Sequence, residues 1–561
     1  VRDGRRVKTL AAALTALALL AAACGSSKKS TTTGTTGEGG SSSTSAGGAK
    51  DGGIFHLGIV EPTAIDPYDS QESEGENVTK AIYEGLVKLD NKTSELLPGV
   101  ASKWTHTPDC TQWTFNLRPD TKFSNGETVT AQSFIDGMTR AAIKDAASDT
   151  AHFMEDIEGY AAIHGTDTAP PSATTLSGVS APDPNTLQVK LAKGNCEFDK
   201  KTLQPVFSPV PKTAPPGSLK GTFADMPIGN GPFMMKEPWQ HDKSITVVRN
   251  PSFYGTKAHL DEVDFAILPS ENAAELEYKN FQSGQADYAR IPPALVPQAK
   301  STYEPQKEFI SELKYGINYL LVNVKNPPLN NAKARQAISW AIDRDAVIAG
   351  VFKGAVTKAT SLVPPPLQAF YQANVCDSCD KPNVAKAKQL ATEGGLVPGT
   401  KLNFMFNTGG GHEGWVQAVA QQLKDNLGLD VNVAGLPFKE LLKKEQDPNA
   451  SGMFRAAWGA DYPSADDFLR PLLSRGSLPP GDNRGLYQND QFDKLIDQAV
   501  ATPDPTQAAS ITKQAEKLAI GDDLALIPLW YRNQYRVFSS KFKNVGLDFF
   551  ENPTVAEVSQ A

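Results

Sequence analysis

The amino-acid sequence predicts an α/β protein with more than one hydrophobic core. Three observations carry that expectation. Residues 402–406, 415–427 and 429–433 read as strand, helix and strand, a βαβ unit whose two strands are expected to be parallel. An apolar stretch (Ile54, Phe55, Leu57, Ile59, Val60) followed by Val78, Ile82 and Leu86 at helical spacing opens a strand-then-helix layer. The chain has 561 residues, far more than one typical domain, enough for two or three cores.

The first residues point to export. Arg2, Arg5, Arg6 and Lys8 precede an apolar run at 10–23 that is short for a membrane span and ends in Ala21-Ala22-Ala23-Cys24. Small residues before a cysteine resemble a bacterial lipobox. Residues 1–23 are therefore expected to be a signal peptide and Cys24 the lipidated mature N-terminus, with ordinary signal cleavage as the alternative. Residues 24–53, almost all Ser, Thr, Gly, Ala and Lys, bury too little apolar surface to fold and read as a flexible tether. No later run is long enough to span, so the remainder is expected at the extracytoplasmic face of the cell membrane.

Taken in order, residues 76–86 read as a helix and 112–117 alternate as a half-buried strand does. Asn125-Gly126 marks a turn, and Thr130 can cap a helix through Phe134 and Ile135. The proline-rich stretch 169–184 reads as a surface connection, and 186–191 alternates again, so this part is expected to be a mixed α+β module. Residues 245–251 form a strand with a sharp stop, and 319–324 a buried strand. Ala334, Ala337, Ile338, Ala341 and Ile342 make a core-facing helical stripe, and Asp343 can cap the next helix.

Open parallel sheets place ligands at the carboxyl ends of strands. Residues 407–414 occupy one such end. Another lies at Phe454-Arg455-Ala456-Ala457-Trp458-Gly459-Ala460-Asp461-Tyr462-Pro463, where an apolar strand runs into a proline. Asp461 could face an ammonium there and Arg455 a carboxylate. An internal Arg455/Asp461 ion pair under a packing Trp458 is the plainer reading, and on pattern alone the stronger.

A net charge of −8 gives no basic footprint, which argues against nucleic acid as a partner. Beyond Cys24 the cysteines are Cys110, Cys196, Cys376 and Cys379; in an oxidising compartment they are expected as disulfides, Cys376 with Cys379 and Cys110 with Cys196. A redox or zinc role for Cys376/Cys379 is the lesser alternative, with no second Cys or His pair at zinc spacing. Gly409-Gly410-Gly411-His412-Glu413-Gly414 formally matches a dinucleotide fingerprint but lacks the acidic residue after the next strand. A loop bringing backbone N–H groups and His412 near an anion is the better reading. The acids Asp466-Asp467 read as solvated. No nucleophile elbow or zinc-protease helix is present, so no enzyme, cofactor or metal is expected.

The order of motifs resembles the oligopeptide and dipeptide substrate-binding proteins of ABC transporters. Tyr83-Glu84-Gly85-Leu86, Leu97-Pro98-Gly99-Val100-Ala101-Ser102-Lys103-Trp104, Trp113-Thr114-Phe115-Asn116-Leu117-Arg118 and Phe123-Ser124-Asn125-Gly126 lead. Ser208-Pro209-Val210-Pro211-Lys212, Arg249-Asn250-Pro251, Ala341-Ile342-Asp343-Arg344-Asp345 and Trp458-Gly459-Ala460-Asp461-Tyr462 follow in register. The resemblance implies a periplasmic-binding-protein-like fold, two lobes closing on a ligand with an extra domain. Lobe I is expected from 54–83, 216–310 and 528–561, the extra α+β domain from 84–215, and lobe II from 311–527. It further implies that Asp461 holds a peptide α-amino group and that His412 and Arg455 engage its carboxyl terminus. Phe438 and Trp458 would line the site, with Gly459, Tyr462 and Gln71 beside them. Glu445 stands where the family can have an arginine, and Gln71 where it can have a glutamate. The implied role is a monomeric, lipid-anchored receptor passing short peptides to a permease and ATPase complex; a sugar or metal chelate is the alternative ligand, and an exported enzyme or redox protein the alternative class.

Overall fold

The computed structural model describes residues 50–91, 93–166 and 169–561. The expected signal peptide, Cys24 and the tether through Ala49 lie outside the described residues. The tether, expected to run to Gly53, meets the folded body earlier: Lys50 bridges to Gln560, and the Gly52 N–H donates to the carbonyl of His259 at 2.8 Å.

β1 (Ile54–Val60) buries Phe55, Leu57 and Ile59, as its alternation requires. α1 (Ser73–Ile82) follows, shorter than its apolar spacing suggests. The reason is tertiary: the Gly231 N–H takes the Ile82 carbonyl at 2.8 Å, and a Cβ on Gly229 would stand 1.9 Å from that same oxygen. Tyr83 is already extended, and Leu86 packs in a different core.

β2 (Ala101–His106), β3 (Gln112–Leu117), β4 (Val179–Asp183) and β5 (Thr186–Lys190) form a four-stranded antiparallel sheet in the order β2-β3-β5-β4. α2 (Ala131–Ala142) packs on it, with Ser133 Oγ accepting the Thr130 N–H at 3.2 Å. The expected surface connection 169–184 thus ends in a strand. Pro182 is compatible with it because β4 is an edge strand.

β6 (Phe233–Met235), β7 (Ser244–Arg249), β8 (Glu262–Leu268) and β9 (Tyr288–Arg290) return to the first layer. β10 (Phe309–Val322) precedes α3 (Ala332–Ala341) and α4 (Arg344–Gly350), whose caps are Asn331 and Asp343. β11 (Lys401–Asn407), α5 (Glu413–Leu427) and β12 (Asp430–Leu436) form the βαβ unit, β11 and β12 paired in parallel from Lys401↔Asp430 to Asn407↔Leu436. α6 (Phe438–Glu445), β13 (Met453–Gly459), α7 (Asp466–Leu473) and β14 (Ile527–Phe538) complete the elements that build the site.

The main sheet runs β12-β11-β13-β10-β14-β9-β1-β8-β7-β6. Its two long central strands pass from one hydrophobic core into another. Ile317 to Val322 and Ile527 to Tyr531 pack with β11 and α5, whereas Ile310 packs with Phe55 and Leu57 of β1. Between Leu313 and Ile317 the pairing of β10 with β14 shifts register, where the sheet leaves one core for the other. Two lobes with a cleft between them follow, and a third core around Trp113, Phe115 and Phe134 belongs to the small sheet. The structure joins Cys110 to Cys196 and Cys376 to Cys379.

Candidate functional site

β13 lies between β11, to which it is parallel, and β10, to which it is antiparallel from Gly316↔Gly459 to Val322↔Met453. Met453 and Phe454 are buried in the core, and the strand delivers Arg455, Trp458 and Gly459 to its partly open end. A Cβ on Gly459 would meet the Arg532 guanidinium at 3.1 Å, so a small residue lets that arginine lie across the strand.

Asp461 is held by its backbone. Its N–H donates to Asp467 Oδ2 at 2.7 Å, and its carbonyl accepts from the Gln204 side-chain amide of the small domain. No ion pair or side-chain hydrogen bond to the Asp461 carboxylate is found among the described residues; in particular Arg455 does not pair with it. The internal ion pair favoured by pattern alone is therefore absent. The carboxylate keeps partial contact with solvent, yet the packed protein around it pushes its pKa up to about 7. Desolvation is the main cause, Glu76 and Asp482 add like charge, and Lys80 on α1 opposes them.

Asp466 and Asp467, read from sequence as solvated, are both buried in the first turn of α7. Asp466 pairs with Arg470 at 3.0 Å. Asp467, 1% exposed, is pushed well above the carboxylate range by burial and then by the charge of Asp461. The Trp458 indole N–H is near enough to favour the ionised form of Asp467 but closes no hydrogen bond. Tyr462 is buried, its hydroxyl donating to Asp466 Oδ2 at 3.4 Å; it supports the corner and does not offer a polar group to a ligand.

The other end is cationic. Arg455 Nη1 donates to Asn407 Oδ1 at 3.2 Å, and its buried Nε has no partner among the described residues. Burial lowers its pKa, with Glu445 opposing. His412 sits just ahead of α5 and accepts the Trp415 indole N–H at Nδ1, 3.2 Å away. Desolvation and the charge of Arg455 depress its pKa to about 4, so it is neutral at pH 7, with Nε2 carrying the proton. A Cβ on Gly410 would lie 2.5 Å from His412 Nε2 and 2.8 Å from Asn407 Nδ2, so glycine permits the loop to pass over both. Arg455, Asn407 and His412 form one cluster at the carboxyl end of β11.

Glu445 is 5% exposed and spoken for, accepting Arg484 Nη1 at 2.8 Å while Arg484 Nη2 reaches Asp482 at 2.5 Å. Phe438 is 55% exposed at the start of α6. Gln71 is exposed in the loop before α1, the helix whose Glu76 and Lys80 act on Asp461. Lys80 pairs with Glu76 at 2.7 Å and lies 3.0 Å over the Phe550 ring. Two adjoining cavities, of about 860 and 680 Å³, share Asn91, Glu312, Asp548 and Phe549. The larger touches Lys80 and the smaller Pro463, while Asp461, Arg455 and His412 line neither. Among the described residues no cluster suited to a metal ion occurs and no helix is long and apolar enough to cross a membrane.

Residues 95–478 match the model of bacterial extracellular solute-binding proteins, family 5. The chain belongs to this family. Similar proteins include the periplasmic oligopeptide-binding protein OppA of Salmonella typhimurium, 29% identical over 84% of this chain and 85% of that protein. The dipeptide-binding protein DppE of Bacillus subtilis is 28% identical over 86% of this chain and 88% of its own length. Among solved structures, the open, unliganded murein tripeptide-binding protein MppA superimposes with a TM-score of 0.73 at 26% identity, covering 91% of this chain and 97% of that one. HbpA2 of Haemophilus parasuis reaches 0.76 at 20% identity, a likeness of fold alone. The two-lobed α/β architecture expected from the sequence is that of these solved relatives.

Lys80, Gln204 and Arg484 had no individual signal in the sequence. Each acts across a chain separation that no local pattern spans. Asp467, six residues beyond Asp461, was named only as a solvated acid, and the structure buries it against the Asp461 N–H.

Proposed function

We propose that the protein is the extracytoplasmic substrate-binding component of an ABC importer, and that it captures short peptides and delivers them to its permease. The observation that carries this reading is the Asp461 carboxylate, held in place through its backbone and left without a cation. A peptide α-ammonium is the complementary group, and an extended ligand would present its carboxyl group toward Arg455, Asn407 and His412. Relatives named for oligopeptides, dipeptides and a murein tripeptide support the ligand class. Phe438, Trp458, Gly459 and Gln71 are proposed to line the bound chain, and Tyr462 to brace the Asp461 corner. The lobe boundaries given above are proposed to hold except that residues 528–531, assigned to lobe I, pack in the core of lobe II, with the hinge in β10 and β14. No enzymatic step is proposed.

Calorimetry with a random tripeptide library and its N-acetylated copy tests the reading: the free-amine library should bind and the acetylated one should bind poorly. Equal binding of both would remove Asp461 as the anchor, and binding of a sugar or metal chelate without peptides would change the ligand class. The proposed membrane attachment rests on Cys24. Cys24→Ala should release the protein from membranes or block its processing, since multiple acyl chains exceed the weak hold of one. Wild-type protein found unlipidated in the culture fluid would overturn the anchor. The disulfides are proposed to be structural, and non-reducing peptide mapping should find no free thiol at Cys110, Cys196, Cys376 or Cys379.

A further inference from the structure

The small domain reaches the Asp461 backbone through a short segment, residues 195–204, and that segment is tied down on its own side. Cys196 is bonded to Cys110, and the Asn195 carbonyl accepts the Trp113 indole N–H at 3.2 Å. Phe198 and Phe207 anchor the segment in the core of the small domain. From this base it reaches the lobe that carries β13 at separate points. The Cys196 N–H donates to the Val500 carbonyl at 2.7 Å. The Glu197 carboxylate accepts from the Ser464 hydroxyl, which itself accepts the Asp466 N–H at 3.0 Å. The buried Gln204 amide donates to the Asp461 carbonyl.

The consequence concerns the orientation of Asp461. One backbone group of this residue is held from within its lobe, by Asp467, and the other from outside it, by Gln204. A carboxylate with no side-chain partner among the described residues owes its direction to those two bonds. We propose that Gln204 is a positioning residue for the Asp461 carboxylate, and that residues 195–204, stapled by Cys110–Cys196, are the clasp through which the small domain sets ligand selectivity. The proposal rests on the reading of Asp461 as the ammonium anchor.

Gln204→Leu tests it, because leucine has a similar volume, buries no charge and has no group that can donate to the Asp461 carbonyl. The probe is the best-binding member of a random tripeptide library, measured by calorimetry beside its N-acetylated form. Preference for the free amine should fall roughly tenfold in the variant, mostly through weaker binding of the free-amine peptide. Should Gln204→Leu prove unfolded by circular dichroism, Gln204→Met, which likewise cannot donate, is measured in its place with the same expectation. Cys110→Ser/Cys196→Ser should lower the preference in the same direction, by about threefold. A folded Gln204 variant that keeps the full preference overturns the proposal while leaving Asp461 as anchor. Equal losses for both peptides also overturn it, since they would mark a contact that only holds the lobes together. A wild type without preference overturns the anchor reading, and the positioning role with it.

Discussion

The two ends of the ligand-facing edge solve opposite problems. At the Asp461 end, burial and the charges of Glu76 and Asp482, opposed by Lys80, raise the pKa of Asp461, and burial with the charge of Asp461 raises that of Asp467. At the Arg455 end a buried guanidinium has an amide oxygen for company and a neutral histidine beside it, and the strain appears as lowered pKa values. Neither the Asp461 carboxylate nor the Arg455 guanidinium has a direct ion-pair partner among the described residues, although Lys80 and Glu445 act on them from further away. On the proposed reading a zwitterion of suitable length would relieve both, turning stability given up in the empty protein into affinity in the complex.

The comparison breaks most readily at Asp461. Asp461→Asn should weaken free-amine peptides by about 1.5–3 kcal/mol, ten- to hundred-fold, and lose most discrimination against acetylated ones in calorimetry. The ligand-free variant should melt no lower than wild type at pH 8, where wild-type Asp461 is ionised and the variant carries no charge. Arg455→Met is the mirror experiment: preference for a free carboxyl terminus over a C-terminal amide should fall roughly tenfold. Its melting temperature should hold or rise, since a half-buried cation whose Nε has no partner among the described residues is replaced by an apolar chain.

Next is the pH dependence of binding. Asp461 must be ionised to meet the ammonium, and protonation with a pKa of about 7 competes with ligand. Affinity for a free-amine peptide should therefore drop as pH falls, roughly fivefold from pH 7.5 to 6, and Asp461→Asn should be flat there. A wild type with no such slope would show that the like charges around Asp461 are relieved in solution. The smallest effect is expected at His412. Its folded pKa of about 4 lies below the unfolded value near 6.5, so the unfolded chain takes up the proton first. The stability it contributes is present above pH 6.5 and lost as pH falls toward 4. His412→Gln should flatten acid sensitivity in that window, as followed by chemical denaturation, and change affinity at pH 7 only a few-fold.

Much of this was legible beforehand where the determinants are local. The alternation of Phe55, Leu57 and Ile59, the cap at Asp343, and the βαβ unit around α5 all depend on neighbours within a few residues, and the structure contains them. The end of α1 was not legible, because the group that caps Ile82 is Gly231, far along the chain. Nor was the state of Asp466 and Asp467. Two adjacent acids look solvated until Arg470 and the Asp461 N–H are placed against them.

The sequence by itself determined the α/β class, the strand that ends at Asp461 and Pro463, and the types of charge available there. These follow from side-chain periodicity and backbone restriction, which act over a turn or a strand. Tertiary structure alone decided which charges meet. It directed Arg455 to Asn407 and away from Asp461, matched Glu445 with Arg484, and brought Lys80 and Gln204 from other parts of the chain to the Asp461 corner. Electrostatic interactions depend on distance and burial in space, and neither quantity is written in the spacing of residues along a chain.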